Sequence, residues 1–298
     1  GNGVIFGTFH AIFFQILKAA YHYTSANILK EDQKARILRD LIEDWKVEGN
    51  DKKELMENIS AEISRVKSEE MDLSHFYSSV MASDTFRKLF ASYQEALRSA
   101  GLIDFDDMLL YTKELLTKRE DILRAWQRRF TYVLVDEFQD INRIQYMIIK
   151  MLSGRDRNLF VVGDDDQSIY KFRGANIGNI LNFEKAFPGA KVIRLEQNYR
   201  STKNILGVAN EVIRNNQGRK DKTLWTDLAE GDKIHWYRAA DQNAEARFVA
   251  ETVQEGVKNG ALYQNYAVLY RTHALSNTLE RQLAQAGIPY RIYGGTRF

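Results

Sequence analysis

The chain has no cysteine and only two prolines, Pro188 and Pro289, among its 298 residues. Without cysteine there are no disulfides and no cysteine-built zinc or iron–sulfur centres, a composition that fits a reducing, cytoplasmic setting. Linkers are equally unmarked, because no proline-rich stretch, low-complexity tract or internal repeat interrupts the sequence. No apolar run approaches the roughly 18 residues of a membrane span, and the opening Gly1-Asn2-Gly3 lacks the basic stretch and apolar core of a secretory signal. A soluble globular protein with no membrane partner is expected. An excess of charge of one sign is missing too: the formal net charge is +2, which does not by itself announce a nucleic-acid ligand. Locally the balance shifts, since residues 191–222 carry eight Lys/Arg against three Asp/Glu, a net of +5.

What is present is a change of periodicity along the chain. Val4-Ile5-Phe6 reads as a short strand, and residues 10–22 carry the apolar spacing of a buried helix. Between about 26 and 103 the apolar residues fall on helical stripes: Ile37, Leu38, Leu41, Ile42 and Trp45, then Leu55, Ile59 and Ile63, then Phe86, Phe90, Tyr93 and Leu97. That block should be all helical. After Asp104, an N-cap by type, helices to about 129 lead into strand 131–136, helix 142–153, strand 159–163, helix 175–186 and strand 191–195. A second series gives helix 201–216, strand 233–238, helix 243–258, strand 266–271, helix 275–286 and a strand near 290–293. Alternation of this kind predicts an α/β fold, with parallel sheets covered by helices and a boundary near 200–225.

Three segments then place polar chemistry at the ends of predicted strands, where ligands of open α/β sheets bind. Tyr132-Val133-Leu134-Val135 runs into Asp136-Glu137-Phe138-Gln139-Asp140. In a nucleoside triphosphatase the first carboxylate holds magnesium and a neighbour takes a proton from the attacking water; the same pair also suits a strand that simply meets solvent. The next strand ends in Gly163-Asp164-Asp165-Asp166-Gln167-Ser168-Ile169-Tyr170-Lys171-Phe172-Arg173-Gly174. An amide there can orient water without titrating, and aromatics alternating with cations suit stacked bases or, equally, a packed core. The third strand leads to Glu196-Gln197-Asn198-Tyr199-Arg200-Ser201-Thr202, an aromatic and a guanidinium positioned to meet a nucleotide's base and phosphates.

Together these segments resemble the UvrD/Rep/PcrA family of superfamily 1 DNA helicases. Residues 133–140 resemble its motif II, 162–174 its motif III, 195–202 its motif IV, and Gly7-Thr8-Phe9-His10-Ala11 its motif Ib. Ile103–Leu109 and Val268–Thr272 resemble two further family segments, so the likeness runs over almost the whole chain. It implies that Asp136 binds Mg2+, Glu137 is the general base, Gln167 senses the γ-phosphate of ATP, and Tyr199 and Arg200 contact adenine and γ-phosphate. It implies DNA contacts at Thr8, His10, Tyr170, Phe172 and Arg173, with Phe172 standing where many relatives carry Trp. The implied architecture is an incomplete RecA-like motor domain (residues 1–25 and 104–200) with an all-helical insertion (26–103), followed by the first part of a second RecA-like domain (201–298). The implied activity is 3′-to-5′ translocation on single-stranded DNA and unwinding at duplex junctions, alongside repair or replication proteins. The motor of a helicase–nuclease and a non-catalytic DNA-binding relic are the alternatives.

One element of such a motor is missing from the sequence. Nowhere does Gly-x-x-x-x-Gly-Lys-Ser/Thr occur, the loop whose amides and lysine cradle phosphates. Family order places it upstream of Thr8. The expectation is an internal fragment with little ATPase activity by itself.

Overall fold

The computed structural model describes residues 3–47, 51–154, 158–170, 174–216, 218–220, 222–271 and 275–293. They form two compact units, residues 1–198 with 209–225, and residues 199–208 with 226–298.

In the first unit, helix α1 (Phe9–Tyr21) starts where the Thr8 hydroxyl accepts a hydrogen bond from the Ala11 N–H at 3.3 Å, and it stops at His22 in a left-handed conformation. Phe13, Ile16 and Leu17 recur at helical spacing on its buried side. They pack into one core with residues of α5 (Phe105–Lys118), α6 (Glu120–Arg129) and α7 (Arg143–Leu152), among them Met108, Leu116, Trp126 and Ile148. A separate core joins α2 (Glu31–Asp44), α3 (Lys52–Ser68) and α4 (Ser83–Ala100) through Leu38, Ile59, Ile63, Phe86, Leu89, Tyr93 and Leu97. The predicted stripes therefore face inward, with one exception. Trp45 sits just past α2, more than one-third exposed, with the Lys88 ammonium 5.8 Å from its ring. The two ends of this helical block are clasped together, since Leu29 N–H donates to the Ile103 carbonyl (2.9 Å) and Ile103 N–H to the Asn27 carbonyl (2.8 Å).

The sheet is small. Strands β1 (Val133–Val135) and β2 (Leu159–Val161) run parallel, with Val133 opposite Leu159 and Val135 opposite Val161. Val135 packs with Phe138, Ile141 and Ile149 and against Ile180 and Phe183, which belong to two short helices, α8 (Gly178–Leu181) and α9 (Phe183–Ala186). Period-two alternation puts Leu134 and Phe160 on the other face, exposed. The remaining predicted strands, 4–6, 191–195, 233–238, 266–271 and 290–293, pair with nothing that forms a ladder among the described residues. The reason is that a strand needs a backbone partner as well as an apolar pattern. Val192, Ile193 and Leu195 have the pattern, yet they line a cavity of about 740 Å³ beside Leu159–Val161 instead of adding to the sheet. The predicted helix 175–186 is likewise split at Asn182 into α8 and α9.

In the second unit, α11 (Gln242–Lys258) is capped by Asp241, whose Oδ1 accepts from the Ala244 N–H at 2.8 Å. Its Ala250 and Val253 pack with Leu283 of α12 (Ser276–Gln285) and with Ile288. Tyr237 stacks on Phe248 with ring centres 4.0 Å apart. Helix α10 (Lys203–Ile213) begins within this unit, where Lys203 and Asn204 N–H groups donate to the carbonyls of Ala229 and Glu230.

Candidate hydrolysis site

The acid-bearing end of the sheet is built by a departure from regular backbone. After β1 the chain reaches Glu137, which has φ 50 and ψ 44, a left-handed conformation that costs a non-glycine residue of order 1 kcal/mol or more. The ladder nonetheless continues past it: Val162 N–H donates to the Val135 carbonyl (2.8 Å) and Phe138 N–H to the Val162 carbonyl (2.9 Å). With both neighbours held, the strained residue is fixed and its carboxylate is exposed at the strand end. Asp136 Oδ1 accepts from the Glu137 N–H at 3.0 Å.

A single buried amide ties the two strand ends together. Gln139, 1% exposed, donates from Nε2 to Glu137 Oε2 (2.8 Å), and its Oε1 accepts from the Asp164 N–H (3.0 Å). Room for that amide depends on Gly163. A Cβ there would lie 2.7 Å from Gln139 Oε1, 2.9 Å from Ile180 Cδ1 and 3.1 Å from the Phe138 nitrogen. Beyond it, Asp164 organises the 3-10 turn Asp165–Gln167, its Oδ1 accepting from the Asp166 N–H (3.1 Å) and its Oδ2 from Gln167 Nε2 (2.7 Å). Glu137, Gln139, Asp164 and Gln167 thus form one continuous relay of contacts.

Three consecutive carboxylates at this turn would repel one another, and cations from residues 219–222 offset that repulsion. Lys222 Nζ pairs with Asp164, with Asp165 at 2.8 Å and with Asp166 at 3.3 Å. Arg219 makes a two-pronged pair with Asp166 at 2.6 and 2.8 Å, and the Lys220 N–H donates to Asp165 Oδ2 at 2.7 Å. Burial alone pushes the carboxyls of Asp164 and Asp165 up, but hydrogen bonds and charge from Lys222 outweigh it and hold both below the ordinary range. Burial likewise works against the Lys222 ammonium, and its aspartates raise it above the usual value. Asp140 is different: burial and then the Glu137 charge raise its carboxyl, and its Oδ1 is buried without a hydrogen-bond partner.

The donor set suits magnesium better than a caged metal. Among the described residues no three His, Cys, Asp or Glu side chains converge as a metal cage, whereas Mg2+ is usually held by one or two carboxylates, waters and substrate phosphates. Asp136, exposed at the strand end, fits that pattern.

The structure brings Asp136, Glu137 and Gln167 to one sheet end. Tyr199 and Arg200 belong to the second unit, where Tyr199 is 79% exposed. Of the residues assigned to DNA, Thr8 caps α1, and His10 is half-buried with its ring edge-on to Phe105 at 5.1 Å. Burial lowers the His10 pKa against a smaller opposing backbone hydrogen bond at Phe105, so a neutral imidazole is favoured. Tyr170 is partly exposed, while Phe172 and Arg173 lie outside the described residues. Sequence reasoning missed Gln139, Arg219 and Lys222, and placed Gly163 and Asp164 at the sheet edge without giving Asp164 a role. The signal for Arg219 and Lys222 was there, in the basic run of 191–222, but its acidic counterpart lies more than fifty residues upstream.

Comparison with known proteins resolves the family. The family model of the UvrD/REP helicase N-terminal domain matches residues 2–188, and that of the UvrD-like helicase C-terminal domain matches 193–298. The chain belongs to the UvrD/REP helicase family. It is 44% identical over 304 aligned positions to DNA helicase II of Escherichia coli (strain K12), covering 100% of this chain and 42% of that protein. The Salmonella typhimurium (strain LT2) DNA helicase II is 43% identical over the same coverage. The ATP-dependent DNA helicase PcrA of Staphylococcus aureus (strain Mu50) is 43% identical over 81% of this chain and 32% of its own length. The chain thus spans less than half the length of these relatives.

Proposed function

We propose that these residues form part of an ATP-dependent DNA helicase motor, in which Asp136, Glu137 and Gln167 form one side of the hydrolysis site. The observation that carries this reading is the relay from Glu137 through the buried Gln139 to Asp164 and Gln167. It couples a carboxylate able to accept a proton from water to an amide able to orient that water or touch the terminal phosphate. A non-catalytic relic has no need to keep a left-handed Glu137 and a buried amide in register. Asp136 is the residue that would hold Mg2+, which would supply neutralisation of the phosphate charge that develops in the reaction. Glu137 takes the proton of the attacking water, Gln139 holds the carboxylate oriented, and Tyr199 and Arg200 meet adenine and the γ-phosphate. Thr8, His10, Tyr170, Phe172 and Arg173 contact single-stranded DNA, along which the parent protein moves 3′ to 5′. Residues 26–103 form a helical insertion in a first RecA-like domain of 1–25 and 104–200, and 201–298 open a second.

The sequence holds no lysine-bearing phosphate loop, and donors of that kind are worth several kcal/mol to the transition state. We therefore propose that these 298 residues alone hydrolyse little ATP. Phosphate release by the full-length protein with single-stranded DNA tests the site: Glu137→Gln should lower kcat at least about a hundredfold while nucleotide binding persists. A Glu137→Gln protein turning over at the unmodified rate would remove Glu137 from the role of base.

A further inference from the structure

Outside the residues proposed to touch substrate, Arg219, Lys220 and Lys222 form a charged constellation with the Asp164–Asp166 turn. Its geometry is that of a clamp. One ammonium, with three donors, reaches three successive carboxylates, and one guanidinium grips the last of them with two parallel bonds. The Lys222 side chain is 16% exposed and those of Asp165 and Asp166 are 8% and 13% exposed, so those two pairs are largely shielded from bulk water, while Asp164 is one-third exposed. The clamp also ends on a specific oxygen. Asp164 uses Oδ1 for Lys222 and for the Asp166 N–H, which leaves Oδ2 turned to Gln167 Nε2 at 2.7 Å.

We propose that Lys222, supported by Arg219, is a positioning residue for ATP hydrolysis: it fixes the rotamer of Asp164 and thereby the side-chain amide of Gln167. The proposal rests on the assignment of Gln167 given above. Its physical content is pre-organisation. Without Lys222, Asp166 keeps Arg219 and Asp165 keeps the Lys220 N–H, but Asp164 loses that cation and turns toward water, and the Gln167 amide loses the acceptor that aims it. Substrate affinity does not depend on that aim, but the rate of the chemical step does.

Steady-state ATPase of the full-length protein, with single-stranded DNA present, separates the outcomes. Lys222→Met should lower kcat about tenfold with KM for ATP within about twofold, Lys222→Arg should restore most of the loss, and Lys222→Met should add nothing once Gln167 is Ala. The same factor lost in both backgrounds, or a raised KM with kcat unchanged, overturns the proposal. Amide hydrogen exchange of the same full-length variants gives a second readout. In Lys222→Met the N–H groups of Asp166 and Gln167 should exchange at least about tenfold faster, and unchanged exchange there overturns the clamp whatever the rates. If instead exchange responds while Gln167→Ala leaves kcat untouched, the clamp stands as structure. In that outcome the assignment of Gln167, and with it a role for Lys222 in hydrolysis, fails.

Discussion

Lys67 and Lys222 each gather aspartates from distant parts of the first unit, and the settings differ in one respect, access to water. Lys67 lies in α3 with its side chain 1% exposed, 2.6 Å from Asp104 and 2.8 Å from Asp107, and Tyr93 of α4 adds a hydrogen bond to Asp104 at 3.1 Å. Asp104 and Asp107 also close a reciprocal cap on α5, each accepting the other's backbone N–H. That knot fastens the helical block to the start of α5 from inside. The Lys222 cluster makes the same type of pair at the rim of the sheet, with Asp164 one-third exposed and one oxygen committed to a side chain that faces the site. Sealed charge gives attachment, whereas charge left at the rim can aim a neighbour.

The largest expected effect breaks the sealed knot. Lys67→Met leaves two buried carboxylates without their cation, and losing one partner of a buried pair costs about 3 to 5 kcal/mol; urea denaturation followed by circular dichroism should show this, and a loss under about 1 kcal/mol would equate the knot with a surface pair. Next is Gly163→Ala, where the added Cβ meets Gln139 and the Phe138 backbone. Overpacking of this kind costs about 1 to 3 kcal/mol. The thermal midpoint should fall, and an unchanged midpoint would show that Gln139 can leave its place between the strands.

A smaller effect sharpens the comparison through pH. Burial, then the charge of Asp104, raise the Asp107 carboxyl to about 6 despite Lys67. Asp106 is raised for the same two reasons, and Asp104 is held low, burial opposing Lys67 and losing. Between the ordinary value of 3.8 and about 6 the folded protein therefore keeps a proton at Asp107 that the unfolded chain releases, so stability falls as pH rises through that window. The Asp104 contribution has the opposite sign and is lost on acidification below its ordinary value. Stability measured from about pH 4 to about pH 6 should decline by about 1 to 2 kcal/mol from the Asp107 linkage, and Asp107→Asn should flatten that part, leaving the Asp106 share. A profile that the substitution does not alter would place the linkage elsewhere. The smallest effect is the control: Arg124 and Glu120 pair at 2.5 Å but are 62% and 72% exposed, and Arg124→Ala should change stability by less than about 0.5 kcal/mol.

How far the fold could be read ahead depended on whether each element carries its own hydrogen bonds. Helices do, so α1, α7, α11 and α12 fall within a residue or two of the ranges their apolar spacing predicts. Strands do not, and the apolar runs at 191–195 and 233–238 look like strands but belong to no ladder among the described residues. Among the proposed site residues, Asp136, Glu137 and Gln167 stand out because polar groups at strand ends are visible as a break in an apolar run. Gln139 does not stand out, because an amide two residues past a carboxylate looks ordinary until burial and two hydrogen bonds give it work.

The sequence by itself determined the family, the inward faces of the helices and the acids at the sheet edge, since periodicity and motif spacing are local properties of the chain. Tertiary structure alone decided which cation serves which acid. Lys67 and Lys222 are alike as letters, and only the fold seals one among α3, α4 and α5 and leaves the other at the rim beside Gln167, because burial and long-range pairing belong to the packed chain.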